Sequence, residues 1–124
     1  MLTTGVDLIE IERIERALAR HGERFLQRVF TPTEVNYSLG RVRELAVRFA
    51  AKEAVSKALG VGMRHISPYG IYWKDVEITN DVRGKPLVAL HGRAAERATE
   101  LGLTEWAISL SHTNEQAIAF VVAQ

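Results

Sequence analysis

Two carboxylates and a lysine are the residues of this chain whose types suit metal and phosphate chemistry. Asp7 follows the short apolar start of the chain, and Glu53 lies in a long Ala-rich segment, four residues before Lys57. Hard divalent cations such as Mg²⁺ bind oxygen, often one or two carboxylates completed by water and substrate phosphates. Asp7 and Glu53 are therefore a candidate Mg²⁺ pair, with Lys57 as a phosphate partner.

Each of these residues also has an ordinary structural interpretation. Asp7 and Glu10 fit a capping box at the start of a helix. Glu53 and Lys57 fit a solvent-exposed pair of opposite charges one helical turn apart, which contributes little to stability. No local rule brings Asp7 and Glu53 together, because they are far apart in the chain. The sequence pattern leaves both interpretations open.

Four further features are weaker candidates. His112 ends a predicted strand, where it is either a structural histidine or a phosphate contact or proton-transfer group. The segment 84–86, Gly-Lys-Pro, is either a plain hairpin turn or a turn that touches a nucleotide. Arg13 and Arg16 lie off the apolar stripe of the first long helix. They are either solvated charges or the surface that receives an acidic protein partner.

A helix expected over residues 42–59 positions Glu53 and Lys57. Strong helix formers fill it, no proline interrupts it, and Gly60 is a natural residue just past its end. At about 100° per residue, one stripe of this helix consists of mostly small residues, which favour close packing: Val47, Ala51, Ala54 and Ala58. Arg48 and Lys52 form a second, basic stripe and are further candidate phosphate partners.

The remaining pattern predicts an α+β fold. The expected elements are a strand at 2–7, helices at 8–20 and 23–30, a short helix from Thr31 to Gly40, the central helix, an irregular loop at 61–73, a strand at 73–78, a turn at 80–86, a strand at 87–90, a helix at 92–101 and strands at 105–112 and 115–123. Helices segregated from hairpins predict one domain over residues 1–124, with several helices packed against a largely antiparallel sheet.

Composition excludes several classes of function. The chain has 124 residues, a formal net charge of +1 and no cysteine. Disulfide and thiolate chemistry are therefore excluded, and no overall field attracts nucleic acid or an anionic membrane. No apolar run approaches the roughly 20 residues of a membrane span. The start of the chain lacks the pattern of a signal peptide, so a cytoplasmic location is expected.

Two segments together resemble the short phosphopantetheinyl transferases of the holo-[acyl-carrier-protein] synthase family. Gly5–Ile14 resembles the first motif of that family, and Arg48–Ala58 resembles the second. The order and separation of the two motifs also match. Segments 84–86 and 109–113 are similar to further family segments, so the resemblance covers nearly the whole chain. The loop 61–73 matches least, and nothing is carried over there.

The resemblance implies a 4′-phosphopantetheinyl transferase-like fold and a Mg²⁺-dependent reaction. In that reaction 4′-phosphopantetheine moves from coenzyme A to a serine hydroxyl of apo acyl carrier protein, in support of fatty acid biosynthesis. Adenosine 3′,5′-bisphosphate is released. Family members of this size are typically homotrimers that bind the cofactor between subunits. The alternatives are a non-catalytic module that binds coenzyme A or a nucleotide, and a helix-patch interaction protein without a small ligand.

The resemblance also assigns roles. Asp7 and Glu53 match the Mg²⁺ ligands, Lys57 matches a contact to the pyrophosphate of coenzyme A, and His112 matches a histidine of the cofactor cleft. Arg13, with Arg16 beside it, matches the surface that receives the carrier. The catalytic residues are predicted to be Glu53, Lys57 and His112. The predicted cofactor contacts are Arg48, Lys52, Lys57, Gly84, Lys85, Pro86 and His112. Either Glu53 or a metal-bound water is the candidate base.

Overall fold

Five helices and five strands form the α+β fold that the computed structural model describes over residues 1–124. In chain order they are β1 Thr3–Glu10, α1 Ile11–His21, α2 Glu23–Val29, α3 Pro32–Ser38, α4 Val42–Ala58, β2 Val76–Asn80, β3 Pro86–Leu90, α5 Gly92–Leu101, β4 Trp106–His112 and β5 Gln116–Ala123. A 3₁₀ turn at Trp73–Asp75 precedes β2. The α+β class is the one that the sequence predicted.

The strands form two antiparallel sheets. The larger sheet has the order β1-β5-β4, with Val6 of β1 opposite Phe120 of β5. The smaller sheet is the β2-β3 hairpin, with Ile78 opposite Val88. Both sequence-predicted hairpins are confirmed. The pairing of β1 with β5 joins the two ends of the chain, and no local pattern predicts such a pairing.

Helix α4 runs through the centre of the molecule. Its small-residue stripe is buried, as predicted, and Arg48 and Lys52 on the other stripe are buried as well. The helix as a whole is therefore not solvent-exposed, although the Lys57 side chain is 54% exposed. Strands β1 and β5 pack on one side of α4, while α1, α3 and β2 pack on others. A helix with neighbours on several sides is buried around most of its circumference.

Strand β1 approaches α4 unusually closely at Gly5. A Cβ atom placed on Gly5 would lie 1.9 Å from the Ala54 carbonyl oxygen, so no larger residue fits without a backbone shift. Thr3 Oγ1 donates a hydrogen bond to the Ala58 carbonyl oxygen at 2.9 Å, which ties the same strand to the end of the helix. The small residues of α4 thus bring β1 close to the helix backbone.

Two predicted boundaries are wrong. Strand β1 continues to Glu10, so the first helix begins at Ile11 rather than at residue 8. No side chain caps that helix, and Asp7 lies inside the strand, so the predicted capping box does not form. Residues Trp73–Asp75 form a 3₁₀ turn, and the next strand begins only at Val76. In both cases the pattern placed a boundary about three residues early.

No helix of the structure combines the length and the apolar character that crossing a membrane requires.

Candidate active site

Asp7 and Lys57 meet between β1 and the last turn of α4. Lys57 Nζ lies 3.1 Å from Asp7 Oδ1 and donates a hydrogen bond to the Val6 carbonyl oxygen at 2.9 Å. The Asp7 side chain is 15% exposed and that of Lys57 is 54% exposed. Because side chains alternate along a strand, Gly5 and Asp7 share the face of β1 that is turned to α4. The structure thus brings Asp7 and Lys57 together, as the predicted site requires.

Glu53 shares this environment with Asp7. Burial raises the pKa of Glu53, and the negative charge of Asp7 raises it further. Positive charge from His65, Lys57 and Arg13 partly opposes that rise. Two carboxylates that repel each other in a half-buried position form a site where a cation relieves the repulsion. Glu53 and Lys57 also hold the least buried positions in the second half of α4.

The donor set of this carboxylate group fits a hard cation. Asp7 Oδ2 is buried and has no hydrogen-bond partner, so one oxygen is available to a ligand. No cluster of three or more His, Cys, Asp or Glu side chains capable of holding a metal is present. Two carboxylates completed by water and substrate oxygens suit Mg²⁺, which keeps several non-protein ligands. They do not suit structural zinc, which takes four protein ligands.

A second group of predicted residues lines a cleft of about 450 Å³. It consists of Arg48, Gly84, Lys85, Pro86 and His112. The β2-β3 turn supplies three of these residues, while α4 and the end of β4 supply the other two. These segments are distant in the sequence but face one cavity, which contains two cations, a histidine and one carboxylate, Glu44. A cavity of this kind fits an anionic ligand of nucleotide size.

Arg48 is held rigidly in that cleft. Its side chain is only 1% exposed, and its Nη1 lies 2.7 Å from Glu44 Oε2. Nη2 donates to Asn80 Oδ1 at 2.9 Å, and the guanidinium stands 4.6 Å from the centre of the Tyr37 ring. Nε is buried and has no partner. An arginine fixed on two sides, with one donor still unpaired, is a candidate contact for an anion in the cleft.

The prediction that Lys52 contacts a phosphate is wrong, because its ammonium is not available to a ligand. Its side chain and that of Glu34 are both fully buried, with Nζ 2.8 Å from Glu34 Oε1. The ammonium also donates to the carbonyl oxygens of Trp73 at 3.0 Å and Val76 at 2.5 Å, so all three donors are used. Burial lowers the pKa of Lys52, and the charge of Glu34 opposes that change. Lys52 therefore ties α4 to α3 and β2.

The cleft and the carboxylate group are separate within one copy of the chain. None of Asp7, Glu53 and Lys57 lines the cleft that contains Arg48 and His112. Arg48 and Glu53 are five positions apart on α4, which places them roughly 140° apart around the helix at about 100° per residue. A single copy thus holds the predicted site residues in two separate groups instead of one site.

Arg13 and Arg16 lie on the outer side of α1 with Arg20 and His21, where they line a shallow depression. Arg16 forms an exposed pair with Glu12 at 3.8 Å, which is worth little energy. Arg13 reaches towards the core, with its guanidinium 5.3 Å from the centre of the Phe49 ring. Its charge also acts on Glu53. The predicted partner surface thus adjoins the carboxylate group.

Sequence reasoning missed His65. Its ring stacks on Trp73 at 5.3 Å between centres, and its charge acts on Glu53. The histidine lies in the irregular loop after α4, where no periodicity or spacing indicates its neighbours. Trp73 in turn stacks on Phe49 at 4.6 Å, which connects this loop to the core beneath the site. Only the tertiary fold brings His65 to Glu53.

The comparison with known families defines the class of this protein. The family model of the 4′-phosphopantetheinyl transferase superfamily (ACPS) matches residues 3–121. That range contains every residue of the carboxylate group and the cleft. The holo-[acyl-carrier-protein] synthase of Herpetosiphon aurantiacus is 52% identical over 124 residues, covering 98% of each chain. The corresponding protein of Moorella thermoacetica is 50% identical and covers 100% of this chain and 94% of its own.

Solved structures agree with this assignment. The holo-[acyl-carrier-protein] synthase of Helicobacter pylori in complex with coenzyme A superposes with a TM-score of 0.86 at 31% identity, covering 98% of this chain and 99% of that one. The enzyme of Bacillus anthracis in complex with coenzyme A (3′,5′-ADP) gives a TM-score of 0.76 at 34% identity, covering 98% and 94%. The chain belongs to the holo-[acyl-carrier-protein] synthase family of the 4′-phosphopantetheinyl transferases.

Proposed function

We propose that the chain transfers 4′-phosphopantetheine from coenzyme A to a serine hydroxyl of apo acyl carrier protein, releasing adenosine 3′,5′-bisphosphate. Family membership gives the reaction and its place in fatty acid biosynthesis. The observation that carries the assignment of residues is the meeting of Asp7, Glu53 and Lys57 between β1 and α4. We assign the whole activity to one domain, residues 1–124. A cytoplasmic location stays a prediction.

Asp7 and Glu53 are the proposed Mg²⁺ ligands. When bound there, the cation supplies charge neutralisation at the pyrophosphate of coenzyme A. Asp7 Oδ2 has no hydrogen-bond partner, and burial together with the charge of Asp7 raises the pKa of Glu53. Both observations support this assignment, because each marks a carboxylate that a further cation would stabilise. Lys57, already beside Asp7, supplies a mobile point charge to the same phosphates.

The reaction needs positioning and charge more than covalent help from the protein. The serine oxygen forms a bond to the β-phosphorus of coenzyme A. The bond from that phosphorus to the bridging oxygen breaks, and the bridging oxygen leaves with adenosine 3′,5′-bisphosphate. The serine proton passes to Glu53 or to water.

The cleft around Arg48 is the proposed site for the nucleotide end of coenzyme A. Arg48 and Lys85 offer positive charge to phosphate, and His112 stands at the cleft wall as a further donor. Gly84 is at φ 86°, a conformation that glycine adopts without strain, and keeps the turn free of a side chain. A backbone without a side chain lets a flat base approach closely.

A homotrimer would join the carboxylate group and the cleft, which would then be two half-sites of one active site. The outer face of the larger sheet exposes four large apolar side chains, Val6 at 48%, Leu8 at 56%, Ile118 at 38% and Phe120 at 44%. Val6 lies opposite Phe120 and Leu8 opposite Ile118, so they form one patch across β1 and β5. An apolar patch of this kind favours burial against another copy. We propose that this contact brings the cleft of one copy to the carboxylate group of its neighbour.

Intact-mass analysis of the carrier tests the transfer. The chain is incubated with coenzyme A, Mg²⁺ and apo acyl carrier protein, and the carrier is expected to gain one phosphopantetheine group. Omitting Mg²⁺ and adding a chelator should abolish the gain. A carrier that stays unmodified, across several acyl carrier proteins, would contradict the proposed function. Sedimentation equilibrium tests the trimer separately, and a monomer at micromolar concentration would contradict it.

A further inference from the structure

A cavity of about 300 Å³ lies between α2, the loop after α4 and the 3₁₀ turn, outside both half-sites. Its walls include Ile71, Tyr72 and Trp73, and its rim carries three cations, Arg28, Arg64 and Lys74. Apolar walls below a positive rim fit an anionic group on an apolar stem.

The rim charges have no carboxylate partner within the chain. All ion pairs of the structure involve other cations, and no side-chain hydrogen bond ties down Arg28 or Lys74. Arg64 donates to the backbone carbonyl of Pro68, and its guanidinium lies 6.0 Å from the centre of the Tyr72 ring. Cations left without internal partners attract a carboxylate from outside.

This cavity continues the basic surface of α1. Arg28 also lines a smaller depression with His21 and Arg24. His21 in turn lines the depression of α1 with Arg13. The three depressions therefore share residues and form one basic band from α1 to the 3₁₀ turn. Since the net charge of the chain is only +1, this band concentrates positive charge on one side of the molecule.

Both ends of the basic band lie close to the turn of α4 that precedes Glu53. At one end, His65 lines the cavity and stacks on Trp73, which stacks on Phe49. At the other end, the Arg13 guanidinium lies 5.3 Å from the centre of the same Phe49 ring. Phe49 and Glu53 are one helical turn apart on the same face of α4, so a serine delivered to Glu53 lies near both ends of the band. The protein surface around that serine must face the cavity as well as α1.

We propose that this cavity is a second docking subsite for the carrier protein, which receives a carboxylate side chain next to the serine that is modified. This inference rests on the proposed function and names the part of the partner that the loop after α4 recognises. Contact with α1 alone leaves the carrier free to rotate about that helix. A second contact at the other end of the basic band fixes the orientation in which the serine reaches the phosphorus.

The test compares charge reversals at Lys74 and elsewhere. Lys74→Glu is expected to raise the KM for apo acyl carrier protein about tenfold, because an attraction becomes a repulsion. The KM for coenzyme A and the melting temperature should stay unchanged, since the Lys74 side chain is exposed. Arg43→Glu makes the same charge change outside the band and is the matched control, because Arg43 is exposed and donates its one side-chain hydrogen bond to Asn114. Arg13→Glu is the positive control on α1.

A charge swap identifies the contact. Carrier variants with single Asp→Lys or Glu→Lys changes near the modified serine are tested against Lys74→Glu, and one of them should restore the KM. An unchanged carrier KM in Lys74→Glu, beside a raised one in Arg13→Glu, would overturn the inference. A raised KM for coenzyme A alone would also overturn it and assign the cavity to the transferred group. No transfer by the unaltered chain would overturn the proposed function and this inference with it.

Discussion

Lys52 and Glu53 are neighbours on α4, yet their surroundings are opposite. Lys52 is fully buried, pairs with Glu34 at 2.8 Å and uses all three donors inside the protein. Glu53 is half-buried, faces the like charge of Asp7 and has a raised pKa. Asp7 itself keeps one buried oxygen without a partner.

The difference separates a structural ion pair from a candidate binding site. A buried charge whose hydrogen bonds are all satisfied inside the protein has nothing left to offer a ligand. Carboxylates that repel each other and keep unused oxygen atoms are stabilised by a cation that the chain does not supply. The two regions differ less in charge or burial than in whether their polar groups have hydrogen-bond partners inside the protein. Four changes test that distinction.

The largest expected effect is on stability. Lys52→Met leaves Glu34 buried without its ammonium partner, and we expect a loss of about 3–5 kcal/mol in the free energy of unfolding. Urea unfolding followed by circular dichroism measures it. The double variant Lys52→Met with Glu34→Gln should recover part of the loss, because the unpaired charge is gone. A single variant as stable as the original chain would show that the pair is not structural.

The next effect is on activity alone. Glu53→Gln keeps the shape and helix propensity of the side chain but removes a proposed metal ligand, and we expect at least about a 10²-fold loss in kcat/KM. Melting temperature should not fall, because the change also removes repulsion with Asp7. Glu96→Gln, an exposed change on α5, is the matched control. Full activity of Glu53→Gln would remove Glu53 from the metal site.

A smaller effect is expected at Gly5, which sets the distance between β1 and α4. Gly5→Ala forces the strand away from the Ala54 carbonyl, at a cost of about 1–3 kcal/mol of stability. The same shift separates Asp7 from Glu53, so the Mg²⁺ concentration for half-maximal activity should rise. Gly40→Ala is the control for lost stability: its φ of 74° strains an alanine, but nothing lies near its missing Cβ, so its Mg²⁺ dependence should stay unchanged. An unchanged Mg²⁺ dependence in Gly5→Ala would contradict this positioning role.

The smallest effect is in the pH dependence of stability, where Glu53 and Glu77 should act in opposite directions. Hydrogen bonding from Thr31 lowers the pKa of Glu77, so its stabilisation is present above its unfolded pKa and is lost as pH falls. The pKa of Glu53 is raised, so its ionisation reduces stability as pH rises above its unfolded pKa. Urea unfolding between about pH 3 and about pH 7 measures both effects.

Substitution at each position isolates its share of that pH dependence. Glu77→Gln should flatten the loss of stability towards acid pH. Glu53→Gln should increase the gain in stability as pH rises, because the opposing contribution of Glu53 is gone. Curves that stay parallel to that of the original chain in both variants would contradict the assigned shifts.

Much of the fold follows from local pattern. The capping box at Thr31 and Glu34, the glycine that ends α5 and both hairpins follow from turn and cap chemistry that acts over a few residues. Local preference also explains why the end of β1 was predicted wrongly. Asp7 and Glu10 fit a cap, but pairing with β5 extends the strand through both positions. Long-range pairing outweighs a local preference.

The candidate site was predicted less completely than the fold. Asp7, Glu53 and Lys57 do come together, and five predicted residues share one cleft. Lys52 could not be assigned correctly from its charge, because only packing shows that it faces Glu34. The position of His65 near the site could not be predicted, because an irregular loop has no periodic pattern from which the neighbours of a residue can be inferred.

The sequence by itself determined the residue types, the helix that carries them and the resemblance of two motifs to one family. These depend on chemistry within a few residues, and the family match added the reason for Asp7 and Glu53 to meet. Only the tertiary structure decided which charges are satisfied inside the protein and which remain for ligands. That depends on contacts between distant segments, such as β1 against α4 at Gly5, whose distances no local rule specifies.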